Sequence, residues 1–343
     1  MAEADPGPLA GLARVPEERV ADAAALDARL RGAETPFVIR GLAKDWPLVR
    51  AGLQSAGAAR DYLLRHHRDR PFTVSVGQPG SGGRLFYDDA MAMNFRTFDA
   101  KLPEIFARMA AFAGQPQAPT VYLASIDVHQ FFDGLHAANH IDLGDREPLA
   151  SIWIGTRTRI AAHNDVPNNL AVVAAGRRRF TLFPREQFRN LYLGPVDNTP
   201  AGRAISMVDF HAPDLERHPR FAEAMAHGQT VEMAPGDALY IPALWWHHVE
   251  GLEDFNVLVN YWWRETPRWL GQPQEALNHA LMAIRDLPPD QKAHWRDMFD
   301  YYVFQNNDQV TAHVPEGGRG VLDPMTPELA SRLRSYLLRA LSR

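Results

Sequence analysis

A mainly β fold with flanking helices is what this sequence predicts, and two observations predict it. Between about residues 150 and 264 the short apolar runs SIWIGT, NLAVVAAG, RRFTLFP, TVEMAP, ALYIPA and NVLVNYWW are separated by turn residues at short spacing. That rhythm suits a β-sandwich or barrel rather than βαβ units. On either side of it, apolar residues recur at helical spacing. Taken in order, residues 1–30 are a polar lead-in and a helix, ADAAALDARLRG, stopped by Gly32 and Pro36. PFVIRGL (36–42) reads as a short buried strand closed by Trp46-Pro47, and residues 52–68 have helical spacing. PFTVSVG (71–77) alternates as a strand and ends in the turn GQPGSGG. TFDAKLPEIFARMAAF (97–112) reads as a helix and TVYLASIDV (120–128) as a strand. Residues 185–228, rich in proline and charge, are too long for an ordinary hairpin loop. After Trp269 helices are expected over 274–286, 289–305 and 326–341, the last clearly amphipathic.

Composition narrows the function. The 343 residues suffice for one large domain or two smaller ones. With 36 basic against 41 acidic residues there is no basic excess to grip a nucleic-acid backbone, so no nucleic-acid partner is expected. No stretch approaches the ~18 apolar residues of a membrane span. The N-terminus has no charged segment followed by an apolar run, so a soluble cytoplasmic protein is expected. Cysteine is absent, which removes disulfides, thiolate metal sites and cysteine nucleophiles together. A metal would have to be held by His, Asp or Glu.

Side chains two apart on a strand share a face, so His-x-Asp can offer two metal ligands at once. Three such pairs occur: His67/Asp69, His140/Asp142 and His163/Asp165. The first ends a helical stretch, where i and i+2 point apart, and reads as a solvated charged face. The second lies in a polar loop. His163/Asp165 follows SIWIGTRTRIAAH and precedes VPNNLAVVAAG, at a strand end beside further strands. Rigid scaffolds carry binding residues at such rims. A third ligand can come from PGDALYIPALWWHHVEG, where His247 and His248 are adjacent and only one can face inward. Against this stands an aromatic core patch of Trp245, Trp246 and two satisfied histidines. Two His and one carboxylate form the facial triad that leaves Fe(II) open positions. The segments can meet if the sheet closes on itself, as in a jelly roll.

HNDVPNNLAVVAAGRRRFTLFPREQFRNLYLGP, PGDALYIPALWWHHVE and NVLVNYWW together resemble the cupin-like branch of the JmjC dioxygenases, and TPFVIRGLAKDWP resembles that branch's opening segment. Within the branch the chain is similar to the asparaginyl hydroxylases and their bacterial relatives. The likeness covers about residues 35–265. It implies a double-stranded β-helix core over about 120–264 and an N-terminal elaboration over 1–119, together a catalytic domain of residues 1–265. Residues 266–343 are then a C-terminal helical region that could build a homodimer. The implied cofactor is Fe(II), with 2-oxoglutarate as cosubstrate. By motif position His163, Asp165 and His247 would hold the iron. Asn169, Asn260 and Tyr122 would contact the cosubstrate. The family's cosubstrate lysine is replaced by Arg178, in a chain with only three lysines. Strand alternation turns Arg178 inward and Arg177 and Arg179 towards water. The hydroxylases have a threonine three residues before the first ligand; here it is Ile160.

The implied activity is hydroxylation of an unactivated C–H, on a protein or peptide side chain or on a small molecule. Trp245 and Trp246 would help keep the pocket dry, with at least one of them in the core. Two alternatives stay open: a metal-dependent cupin enzyme that does not use 2-oxoglutarate, and a catalytically silent binding module.

Overall fold

Residues 7–305 and 307–342 are described by the structure, a computed structural model. They form two units, one ending at Trp263 and one beginning at Arg264. In the first unit the early strands are β1 (Ala13–Arg14), β2 (Glu17–Glu18), β3 (Phe37–Ile39), β4 (Pro71–Gly77), β5 (Arg84–Leu85), β6 (Phe95–Lys101) and β7 (Val121–Asp127). Eight more follow: β8 (Leu149–Gly155), β9 (Thr158–Asn164), β10 (Asn168–Ala175), β11 (Arg178–Phe183), β12 (Gln229–Met233), β13 (Ala238–Ile241), β14 (Trp246–Gly251) and β15 (Asn256–Trp263).

Their pairing is that of a chain folded back on itself. The first of the eight pairs with the last, β8 with β15, then β9 with β14, β10 with β13 and β11 with β12, all antiparallel. Successive pairs fall in opposite sheets throughout. A nine-stranded sheet has the order β2-β3-β13-β10-β15-β8-β7-β4-β6, and a six-stranded sheet has β1-β12-β11-β14-β9-β5. This is a jelly-roll core of the cupin type, with flanking helices, as the sequence predicts. The stretch 184–228 is the excursion at the tip of the folded chain.

Three apolar layers result. Between the sheets lie Ala171, Val173, Phe180, Leu182, Leu239 and Leu258. Behind the larger sheet, Leu170, Val172 and Ala174 pack on Leu48, Val49 and Leu63 from the helices Pro47–Gln54 and Ala56–His66. Behind the smaller sheet, Phe183 and Trp246 pack on Leu191, Phe210 and Phe221 of the excursion. Strands β11 and β14 are therefore buried on both faces. Each fully buried Leu or Phe contributes about 1.5–3 kcal/mol.

One expectation fails locally. Residues 97–101 are not helical but belong to β6, because Phe95–Lys101 pairs residue by residue with Pro71–Gly77. The helix starts only at Leu102, where Pro103 lacks the N–H that a strand would need and suits a first helical turn. In the second unit helices span Pro273–Ala283, Pro289–Phe299 and Pro327–Leu341. The middle one runs into a π-helical turn, Asp300–Gln305. Among the described residues no helix is long and apolar enough to cross a membrane.

Candidate metal and cosubstrate site

Between the sheets lies a cavity of about 330 Å³. His163 sits on β9, Asp165 just past its end and His247 on β14, where His247 is the direct cross-strand partner of His163. Their rings lie 4.4 Å apart, and His247 Nε2 is 3.6 Å from an Asp165 oxygen. One ligand atom of each residue falls within 4.8 Å of those of the other two. His163 Nδ1 lies 2.9 Å from the Ala161 carbonyl and His247 Nδ1 lies 3.0 Å from that of Trp245. Carbonyls only accept, so both Nδ1 atoms donate and both Nε2 atoms keep a lone pair for a ligand. Burial, helped by His247 alongside, pulls the His163 pKa down to about 4, so the ring is neutral at neutral pH. Burial opposes ionisation of Asp165, but His247, His163 and Arg203 beside it together outweigh burial and hold the carboxyl below its usual range. Two imidazoles and a carboxylate are the donor set of a divalent transition metal.

The rest of the cavity completes the picture. Arg178, on β11, is 1% exposed, and no carboxylate lies within ion-pair distance of it among the described residues. Its Nη2 reaches the Trp153 carbonyl at a long 3.4 Å, and its Nε has no partner. Burial pushes the guanidinium pKa down, opposed by the Tyr122 phenol alongside. Burial also pushes the Tyr122 pKa up, so the phenol keeps a proton that it can donate to a further acceptor. Trp153 Nε1 donates to Asn260 Oδ1 at 2.7 Å, and Asn260 Nδ2 donates to Asn169 Oδ1 at 3.3 Å, which aims the Asn169 amide hydrogens onward. Asn169, Asn260, Arg178 and Tyr122 all line the cavity with the three metal-type residues. The structure thus gathers all seven residues singled out in the sequence.

Several contributors are not legible in the sequence. Trp262 lines the same cavity and its buried Nε1 has no partner, a second spare donor. Gly155 faces Tyr122 across β7 and β8, and a Cβ there would sit 2.8 Å from the tyrosine ring. A bulge between β9 and β14 sets His163 opposite His247 and Ile160 opposite Val249, so residues three apart share the inner face. Ile160 therefore does line the cavity. The excursion contributes Pro200, Ala201 and Ile205 to its wall.

Two expectations need correcting. Arg179 does not face water: it is 7% exposed, with Nη2 2.6 Å from Glu232 and Nη1 3.5 Å from Glu250. Alternation turned it outward, but the excursion covers that face. Neither Trp245 nor Trp246 lines the cavity; both are core residues, with their indole N–H groups on the carbonyls of Glu34 and Arg185. His67/Asp69 and His140/Asp142 remain on a helix end and in a loop. Asp69 pairs there with Lys101.

The fold and site thus define a jelly-roll protein with a two-histidine, one-carboxylate metal-type centre. The model of the cupin-like domain matches residues 23–268, and the chain belongs to that family. It is 31% identical over 140 residues to human HSPB1-associated protein 1, covering 39% of this chain and 27% of that one. It is 37% identical over 152 residues to the zebrafish tRNA wybutosine-synthesizing protein 5, covering 40% and 42% respectively. To the Arabidopsis thaliana lysine-specific demethylase JMJ31 it is 31% identical over 123 residues, 35% of this chain and 22% of the relative. The matches thus span less than half of each of these relatives.

Proposed function

We propose that the chain is an Fe(II)- and 2-oxoglutarate-dependent oxygenase that hydroxylates an unactivated C–H on a protein or peptide side chain. The observation that carries this reading is Arg178, a buried cation with no counter-charge, facing the same cavity as His163, Asp165 and His247. Left without a ligand, a buried charge is costly. A dicarboxylate cosubstrate resolves this, one carboxylate meeting Arg178 and the Tyr122 hydroxyl while the oxo-acid end reaches the metal-type triad. Asn169 and Trp262 offer further donors to the same ligand. When bound, Fe(II) and 2-oxoglutarate supply oxidation of a C–H by dioxygen, with succinate and CO2 as coproducts. The protein's part is orientation, charge neutralisation and exclusion of water by Leu85, Phe95, Phe180 and Ile205. A net charge of −5 offers no basic excess for a polyanionic substrate, which favours a protein side chain.

The test is an anaerobic visible spectrum of the protein with Fe(II), before and after 2-oxoglutarate. A new metal-to-ligand charge-transfer band is expected. In Asp165→Ala both the band and 2-oxoglutarate turnover should be lost, by at least about 100-fold in turnover. No band with iron demonstrably bound, or full turnover in Asp165→Ala, overturns the reading.

We further propose a homodimer built by the C-terminal unit. Leu337, Leu338 and Leu341 on the helix Pro327–Leu341 are 39%, 63% and 56% exposed, an uncovered apolar stripe. Light scattering at micromolar concentration should give the dimer mass for the whole chain and the monomer mass for Leu338→Glu/Leu341→Glu.

A further inference from the structure

The outer face of β14 carries a second cluster that the proposed reaction does not use. His247 and Val249 point into the cavity, so Trp246, His248 and Glu250 point the other way, beneath the excursion. His248 is 5% exposed, yet neither of its ring nitrogens has a hydrogen-bond partner. A buried imidazole left so is destabilising, unless something meets the nitrogen. Phe210 of the excursion stacks against the ring at 4.7 Å and holds it in place. Glu250, 3% exposed, shares the face, and its Oε1 lies 2.6 Å from Nε2 of His211, which comes from the excursion and is partly exposed. One ligand atom from each of His211, His248 and Glu250 lies within 4.8 Å of those of the other two.

The charges around the cluster are balanced before any ion arrives. Arg179 Nη1 is 3.5 Å from Glu250 Oε2, but the same arginine is held more closely, at 2.6 Å, by Glu232. Arg84 and Arg159 converge on Asp209 at 3.4 and 3.3 Å. Three arginines thus meet three carboxylates, Glu250 among them, and the two imidazoles add nitrogen donors, one of them the buried, unpartnered ring of His248.

From this geometry we propose that His211, His248 and Glu250 form a second divalent-metal site, of the zinc class, back to back with the inner triad across one strand. Two imidazoles and a carboxylate suit tetrahedral Zn2+, with water reaching the fourth position from the exposed side of His211. The ion would clip the excursion to the sheet. The same excursion supplies Pro200, Ala201 and Ile205 to the cavity wall, so occupancy would brace that wall. The site stands on its own residues and does not depend on the oxygenase reading.

The experiment is metal analysis of the full chain after removal of bound metal and equilibrium dialysis against micromolar Zn2+, since zinc also fills an inner triad of this type. Two equivalents are expected for the unmodified chain and one for His211→Ala, an exposed substitution that leaves the core intact. One equivalent is also expected for His163→Ala/Asp165→Ala, and none for the three changes combined. The outer equivalent should raise the melting temperature of His163→Ala/Asp165→Ala but not that of the triple variant. No equivalent retained in His163→Ala/Asp165→Ala, or as many equivalents in His211→Ala as in the unmodified chain, overturns the proposal.

Discussion

Arg178 and Arg179 are neighbours on β11, both buried, and they lie on opposite faces of the same sheet. On the outer face Arg179 meets Glu232 and Glu250. On the inner face Arg178 meets a tyrosine, a distant carbonyl and an empty-handed Nε. The protein therefore supplies the counter-charge where it needs a fixed structure and withholds it where it needs a ligand. A buried cation without an anion is a statement about what binds there, whereas a paired one is a statement about folding.

Breaking that contrast gives the largest effect on its outer side. Arg179→Met leaves Glu250 buried with only His211 beside it, and should cost about 3 kcal/mol of stability in denaturant unfolding, while 2-oxoglutarate affinity is unchanged. On the inner side the result should reverse. Arg178→Met removes an unpaired buried charge, so the melting temperature of the ligand-free protein should hold or rise. Its affinity for 2-oxoglutarate, by titration of the Fe(II) protein, should fall about tenfold to a hundredfold, the worth of ~1.5–3 kcal/mol of charge-assisted hydrogen bonding. If both variants lose stability equally, Arg178 is a structural residue and the contrast dissolves. A gentler probe is Gly155→Ala, whose new Cβ would lie 2.8 Å from the Tyr122 ring. Overpacking there should cost about 1 kcal/mol of stability and weaken 2-oxoglutarate several-fold, because the phenol must move from beside Arg178.

The sequence by itself determined a good deal. The short apolar runs with turn residues between them specify β-strands, because a half-buried pleat demands period two. Turn chemistry such as Pro235-Gly236-Asp237 marks where they end, and Gly236 indeed holds φ +97°. The resemblance to a known family singled out Arg178, with alternation setting it apart from Arg177 and Arg179. Motif position within that resemblance led to His163, Asp165, His247, Tyr122, Asn169 and Asn260, residues from five strands and one strand end that the fold brings to one cavity.

What alternation cannot supply is the identity of the layer on the far side of a strand. Arg179 was read as solvated because its own strand says only that it faces outward; residues 185–228 decide that outward means buried. For the same reason His248 and Glu250 could not be grouped with His211, 37 and 39 residues earlier in the chain. Residues 97–101 read as helix until Pro71–Gly77 pairs with them, since backbone hydrogen bonds to a remote strand override local spacing. The bulge that lets Ile160 and His163 share a face exists only in the register of β9 against β14. Local periodicity is a property of one segment. Burial, pairing and counter-charge are properties of two or more segments that are distant in sequence, and they come into being only when the folded chain brings those segments together.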